Sequence, residues 1–248
     1  MQVIDDRIDF DAYLNGGDEN AKVRPASEYA EDVIARMYQT DAASVGCRLP
    51  WSKTEELFRI RPGEVTLWPG INGHGKSMVV GQVMTSLMRQ SQRVCIASME
   101  MKPVATMTRI CRQACGTNLP SERYIRDFHT WTDGKLWIYD QHGTVNADRM
   151  LAVLHYAAKE LGVTQFVIDS LMKCGIAEDD YNGQKRFIDR LCAAAKDTNC
   201  HIHLIAHSRK SQDELTAPGK MDVKGSGSIT DQGVRGLSIG QECGEFFW

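Results

Sequence analysis

No run of about 18 consecutive apolar residues occurs in the chain, which excludes a membrane-spanning helix. The opening residues Met1, Gln2, Val3, Ile4, Asp5 and Asp6 are acidic and lead into no short apolar core, so a cleaved signal peptide is not expected either. There is no Cys-x-x-Cys. The eight cysteines are scattered, most of them inside apolar stretches, and read as reduced core thiols of a cytosolic protein. Charge of one sign is also lacking: 29 basic side chains against 32 acidic ones leave a net −3, which neither demands nor forbids a nucleic-acid partner. Internal repeats and low-complexity tracts are missing too, which sets aside solenoids and linker-like proteins.

What is present fits one large α/β domain with extensions, and 248 residues are enough to bury a sizeable core without disulfide or metal staples. Residues 1–25 are polar and weakly periodic and read as a tail or the remnant of an upstream domain. A helix is predicted over 27–39, capped by Ser27, with Tyr29, Val33, Ile34 and Met37 at helical spacing. From about residue 46 strand and helix alternate, the pattern of a parallel sheet with crossover helices. Strands are predicted at 65–68, 94–98, 136–139, 165–169 and 201–207. Helices are predicted over 76–90, from Pro103 to Gly116, over 121–131, from the cap Asn146 to Gly162, and over 183–197. The fold class is therefore α/β, a doubly wound and mostly parallel sheet. Residues 211–232 are polar and glycine-rich and read as a mobile loop.

The strongest local signal is Gly70, Ile71, Asn72, Gly73, His74, Gly75, Lys76 and Ser77, which fits G-x-x-x-x-G-K-[ST] without a mismatch between an apolar strand and an amphipathic helix. Its glycines let the backbone close around phosphate oxygens, and the helix end adds partial positive charge. Lys76 is placed to reach the β and γ phosphates, and the Ser77 hydroxyl to bind Mg²⁺. Asp169 ends the apolar strand 165–169 at what becomes the carboxyl edge of the sheet, beside that loop, where a carboxylate holds the metal's water shell. Glu100, just after the second strand, suits either a base for the attacking water or a carboxylate at the dipole of the helix that Pro103 opens. His207 suits either a γ-phosphate sensor or a surface histidine at a strand exit. His201 and His203 share a strand face but have no companions at ligand spacing, so a metal site is not expected there. Lys210, Lys220 and Lys224, among Gly219, Gly225 and Gly227, suit either a loop tracking single-stranded phosphates or a solvated loop.

Together the P-loop, Ser98-Met-Glu100, Val-Ile-Asp169, Ala-His-Ser-Arg-Lys210 and Gly225-Ser-Gly-Ser-Ile-Thr-Asp-Gln232 resemble the RecA-like motor domain of hexameric replicative DNA helicases, of the DnaB, Twinkle and phage primase-helicase kind. The resemblance spans about 27–232. It implies a RecA-like core at 46–232, a linker helix at 26–45 that docks on a neighbouring subunit, and a ring, normally a hexamer. It implies ATP or another nucleoside triphosphate such as dTTP, with Mg²⁺, hydrolysed to drive movement on single-stranded DNA. Primase is an implied partner, and the cytoplasm of a bacterial or phage-infected cell the implied setting. It makes Glu100 the general base, His207 the sensor and Gln232 a relay residue, and makes the 209–224 loop, with Arg209, Lys210, Lys220 and Lys224, the DNA contact. One departure stands out: such proteins continue with another apolar strand and an arginine that reaches the next subunit's ATP, whereas 233–248 offers no apolar strand and only Arg235. The ending reads as truncated, divergent or frame-shifted, and efficient hydrolysis is in question on that ground. A recombinase-like or KaiC-type ATPase, and a nucleotide-binding interaction module with poor hydrolysis, remain open.

Overall fold

The structure, a computed structural model, describes residues 2–4, 9, 11–13, 25–38, 46–54, 57–71, 73–177, 179–207 and 235–236. In chain order its elements are β1 (Gln2–Ile4), α1 (Ala30–Tyr38), β2 (Cys47–Arg48), β3 (Arg59–Ile60), β4 (Val65–Gly70), α2 (Lys76–Arg89), β5 (Val94–Ser98), α3 (Pro103–Cys115), α4 (Glu122–Thr132), β6 (Leu136–Tyr139), α5 (Ala147–Leu161), β7 (Gln165–Asp169), α6 (Tyr181–Thr198), β8 (His201–His207) and β9 (Arg235–Gly236). Seven strands form one sheet in the order β1-β6-β5-β7-β8-β4-β9, and every pairing in it is parallel. β2 and β3 make a separate antiparallel pair.

Side-chain alternation explains why the strands read as continuous apolar runs rather than as a two-sided pattern. Within β5, Cys95 and Ala97 enter one core, and Val94 and Ile96 enter the other. The first core joins Phe166, Ile168, Ile202 and Leu204 to Leu151 and Leu154 of α5 and Phe187, Ile188 and Leu191 of α6. The second joins Trp68, Ile138, Val167 and Ile205 to Val83, Met84 and Leu87 of α2, Ile110 of α3 and Phe128 of α4. Helices thus cover both faces, and the doubly wound parallel sheet expected from the alternation of elements is what forms. The helix leaving β4 covers one face, and the helix that follows β7 covers the other. Connections that diverge in this way leave a crevice at the carboxyl edge.

The helix boundaries follow their caps. Ser121 Oγ accepts from the Tyr124 N–H, Asn146 Oδ1 from the Arg149 N–H at 2.6 Å, and Asp180 Oδ1 from the Gly183 N–H at 2.8 Å. The last of these starts α6 at Tyr181, two residues before the expected start. The helix predicted over 27–39 opens instead with a 3-10 turn, Ala26–Tyr29, and Ser27 makes no cap: Pro25 is the N-cap residue, without a side-chain bond. Every described side chain of α1 is exposed, including Val33, Ile34, Met37 and Tyr38.

Two short strands depart from the sequence reading. The ending offers no further apolar strand to the sequence reading, and the pairing it does make is only Arg235 and Gly236, parallel to Thr66 and Leu67. A two-residue pairing uses only backbone N–H and C=O groups, so it leaves no apolar run to read. At the opposite edge Gln2–Ile4 pairs with β6, and Tyr13 rests on α5, its hydroxyl donating to Glu160 at 3.3 Å and its ring meeting Tyr156 edge-on at 5.4 Å. Part of the segment read as a tail is therefore fastened to the body. The loop predicted at 211–232 lies outside the described residues.

Candidate nucleotide site at the carboxyl edge of the sheet

The ends of four neighbouring strands, β5, β7, β8 and β4, carry the candidate chemistry. Register places it: Ser98 lies opposite Asp169, and Gly70 opposite His207. Parallel pairing alone thus brings Glu100, Asp169, His207 and the glycine loop to one edge.

After β4 the His74 N–H donates to the Ile71 carbonyl at 3.3 Å, closing a turn. Gly73 and Gly75 adopt φ of +85° and +77°, a region that penalises other residues by about 1–2 kcal/mol. A Cβ at Gly73 would meet nothing within 4 Å, so the demand there is conformational and the space before the backbone is open. Gly75 is the N-cap of α2, and no side chain caps that helix, which leaves its amino end to an anion. The buried Lys76 ammonium donates to the carbonyls of Gly70 at 2.8 Å and Ile71 at 2.9 Å. Burial pulls its pKa below the usual lysine range, against the opposing pull of the Asp169 and Glu100 charges.

Asp169 is 6% exposed, and burial raises its pKa. The Ser77 hydroxyl bonded to it and the charges of Arg109 and Lys76 work against that rise, whereas Glu100 adds to it. A carboxylate and a hydroxyl in contact at the end of the phosphate loop are hard oxygen donors of the kind Mg²⁺ prefers. Glu100 stands exposed in the bend after β5. Its Oε1 lies 3.9 Å from His207 Nε2, and Ser170 Oγ sits between them, 3.3 Å from the carboxylate and 3.4 Å from the imidazole. The Asp169–Ser170 peptide is cis.

Two residues here escaped the sequence reading. Ser170 carries no motif of its own, although its place after the strand-ending carboxylate was a usable hint. Arg109 sits on α3, donates from Nη1 to Met101 Sδ at 3.1 Å, and acts on the Asp169 charge. Only the packing of α3 reveals it. Asn72, Arg209, Lys210, Lys220, Lys224 and Gln232 lie outside the described residues.

His201 and His203 lie at the other end of β8, His203 about 13 Å along the strand from His207. Both are fully buried and hydrogen-bonded. His201 meets the Thr66 hydroxyl at 2.9 Å and the Arg61 carbonyl at 2.5 Å. Trp68 Nε1 donates to His203 Nδ1 at 3.2 Å, which fixes Nε2 as the protonated nitrogen facing Gln165 Oε1 at 3.0 Å. Among the described residues no group of His, Cys, Asp and Glu is arranged to hold a metal ion.

A parallel sheet wound on both faces, with a glycine loop and lysine at its carboxyl edge, defines a P-loop nucleoside-triphosphatase domain with a RecA-like core. The sequence model of a family described as AAA domain matches residues 57–213, and the chain belongs to that family. The chain is similar to a DNA helicase/primase of Enterobacteria phage T3, 26% identical over 222 residues, covering 81% of this chain and 38% of that protein. It is also similar to the Twinkle homolog protein, chloroplastic/mitochondrial, of Arabidopsis thaliana, 19% identical over 231 residues, covering 86% of this chain and 33% of that one. The match therefore spans only about a third of each relative's length. Among solved structures an ATPase domain superposes with a TM-score of 0.71 over 91% of this chain and 94% of that one, at 12% identity, and so shares the RecA-like fold. Among the described residues no helix is long and apolar enough to cross a membrane.

Proposed function

We propose that this chain is the motor domain of a replicative DNA helicase, working as a ring in the cytoplasm of a bacterial or phage-infected cell and hydrolysing ATP or a related nucleoside triphosphate to move along single-stranded DNA. The observation that carries the reading is the register of β5, β7, β8 and β4, which gathers a phosphate loop, a buried carboxylate, a second exposed carboxylate and a histidine at one crevice. The name of the phage relative, DNA helicase/primase, supports the DNA-directed part.

In this reading the nucleotide's phosphates enter the open face of the glycine loop, and Lys76 exchanges two backbone carbonyls for phosphate oxygens. Ser77 and Asp169 hold Mg²⁺, which supplies charge neutralisation at the phosphates when bound. Glu100 accepts the proton of the attacking water. His207 contacts the γ-phosphate, and Gln232 relays its loss to Arg209, Lys210, Lys220 and Lys224 on the DNA.

A ring fits two unsatisfied surfaces. Helix α1 presents exposed Val33, Ile34 and Met37 with Glu31 and Asp32 in its first turn. Between α3 and α4 lies a cavity of about 370 Å³ floored by Met107, Cys111 and Leu119 and flanked by Arg112 and His129. The apolar lining and the basic Arg112 complement the apolar face and acidic first turn of α1, so α1 of one copy would dock there on the next, as a linker helix. A primase partner follows from the phage relative's name alone.

The test is ATP turnover with single-stranded DNA, with the molecular mass measured in parallel. The parent chain is expected to hydrolyse ATP faster with DNA than without. Glu100→Gln is expected to lose about 100-fold or more in kcat while still binding nucleotide, and Lys76→Ala to lose nucleotide binding. A chain that binds nucleotide yet never turns it over, or that stays monomeric with nucleotide and DNA present, sinks the helicase reading.

A further inference from the structure

We propose that Ser170 is a positioning residue whose single hydroxyl proton ties the orientation of Glu100 to the hydrogen-bonding state of His207. The inference rests on the assignment of Glu100 as base and His207 as γ-phosphate contact, and adds the physical link between them.

Glu100 Oε1 and His207 Nε2 are 3.9 Å apart, beyond hydrogen-bond reach of each other. Ser170 Oγ lies within reach of both, at 3.3 Å and 3.4 Å, and Ser170 is fully buried, so water does not compete for its hydroxyl. A serine has one proton to give and lone pairs to receive. The triangle therefore has two settings. In one, Ser170 donates to the carboxylate, and His207 faces the serine oxygen with its Nε2–H. In the other, His207 presents a bare Nε2, takes the serine proton, and leaves Glu100 without its donor.

A phosphate at His207 selects between them. Once Nε2–H is directed to a phosphate oxygen, the imidazole offers Ser170 no lone pair there. The serine proton then has one acceptor, and a charged one, which is the stronger partner. The γ-phosphate thus removes the imidazole as a competitor for the serine proton, and its departure restores that competition and loosens the hold on Glu100. The exchange moves the His207 ring proton between Nε2 and Nδ1, and no proton is consumed.

The experiment uses the full chain with ATP and saturating single-stranded DNA. Ser170→Ala is expected to lower kcat about 10- to 100-fold, the scale of a misplaced catalytic group, while the KM for ATP moves less than about 2-fold. Ser170→Thr, which restores a hydroxyl, is expected to recover most of the loss. In a His207→Ala background the serine proton has only Glu100 to serve, so Ser170→Ala is expected to cost about the same 10- to 100-fold there, and a loss below about 2-fold would show that the serine does not hold Glu100. A merely structural serine would lower the melting temperature and raise KM. That result overturns the proposal, as does an unchanged kcat in Ser170→Ala. Glu100→Gln run alongside separates the two levels: full turnover in that variant removes the assigned base itself, whereas its loss together with an inert Ser170 removes only the link.

Discussion

At the scale of single residues the two ends of β8 behave oppositely. His207 lies at an open edge, whereas His203 is sealed between Trp68 and Gln165 with both ring nitrogens engaged, one as acceptor and one as donor. A second proton has nowhere to go. Burial, with the neighbouring His201 adding to it, holds the His203 pKa well below the ordinary 6.5. The unfolded ring therefore binds a proton near pH 6.5 and the folded ring only at lower pH. Between those points the unfolded state holds more protons, so stability falls as pH drops through this window and is unaffected above it. Urea midpoints are expected to fall between pH 7.5 and 5.5, and His203→Asn is expected to flatten that slope. Part of the slope is expected to survive, since burial also lowers His155. A variant with the parent's full pH dependence would remove His203 as its source. The same scale shows what a sequence reveals of a site. Lys76 and Ser77 were legible because they belong to one contiguous motif, and the carbonyls that Lys76 touches lie only five and six positions back. Ser170 and Arg109 were not, because what each touches depends on which strand becomes the neighbour of which.

At the scale of elements, legibility tracked the source of each element's stability. Helices α3, α4 and α5 begin where proline or capping side chains place them and end near a glycine or a turn, all of which are written locally. Asn146 is the sharpest instance, its Oδ1 accepting from the Arg149 N–H at 2.6 Å. Asn146→Ala is expected to lose about 1 kcal/mol of unfolding free energy, read by urea denaturation, and Asn146→Asp almost none. Equal losses in the two variants would show that something other than the cap is at stake. β1 and β9 are the converse. They are held by backbone pairing at the two edges of the sheet, and a pairing of two or three residues has no side-chain period to detect.

At the scale of the whole molecule the α/β alternation gave the layered plan, since an apolar strand with a helix after it has few ways to bury both faces. The strand order β6-β5-β7-β8-β4 was not legible, because every parallel order uses the same local patterns. Assembly belongs to this scale as well. The Ile34 and Met37 side chains are exposed on a helix whose every described side chain faces outward, an apolar face that a second copy would cover in the proposed ring. On that proposal Ile34→Glu with Met37→Glu is expected to leave the nucleotide-bound chain monomeric in light scattering, with the melting temperature nearly unchanged. A ring of undiminished mass would place the subunit contact elsewhere.

The pairing of Gly70 with His207 also has a mechanical meaning. Those two strands are bonded side by side, so the phosphate loop and the histidine ride on one plate. Glu100 hangs from β5, three steps away across the sheet. Each step adds about 20–25° of twist, so β5 diverges from β4 by roughly 60–75°. The crevice is a jaw with one fixed side and one steeply inclined side. A small change in the sheet's twist acts on Glu100 through three such steps and on the histidine through one, so it alters the reach of Glu100 across the gap more than the distance between loop and histidine.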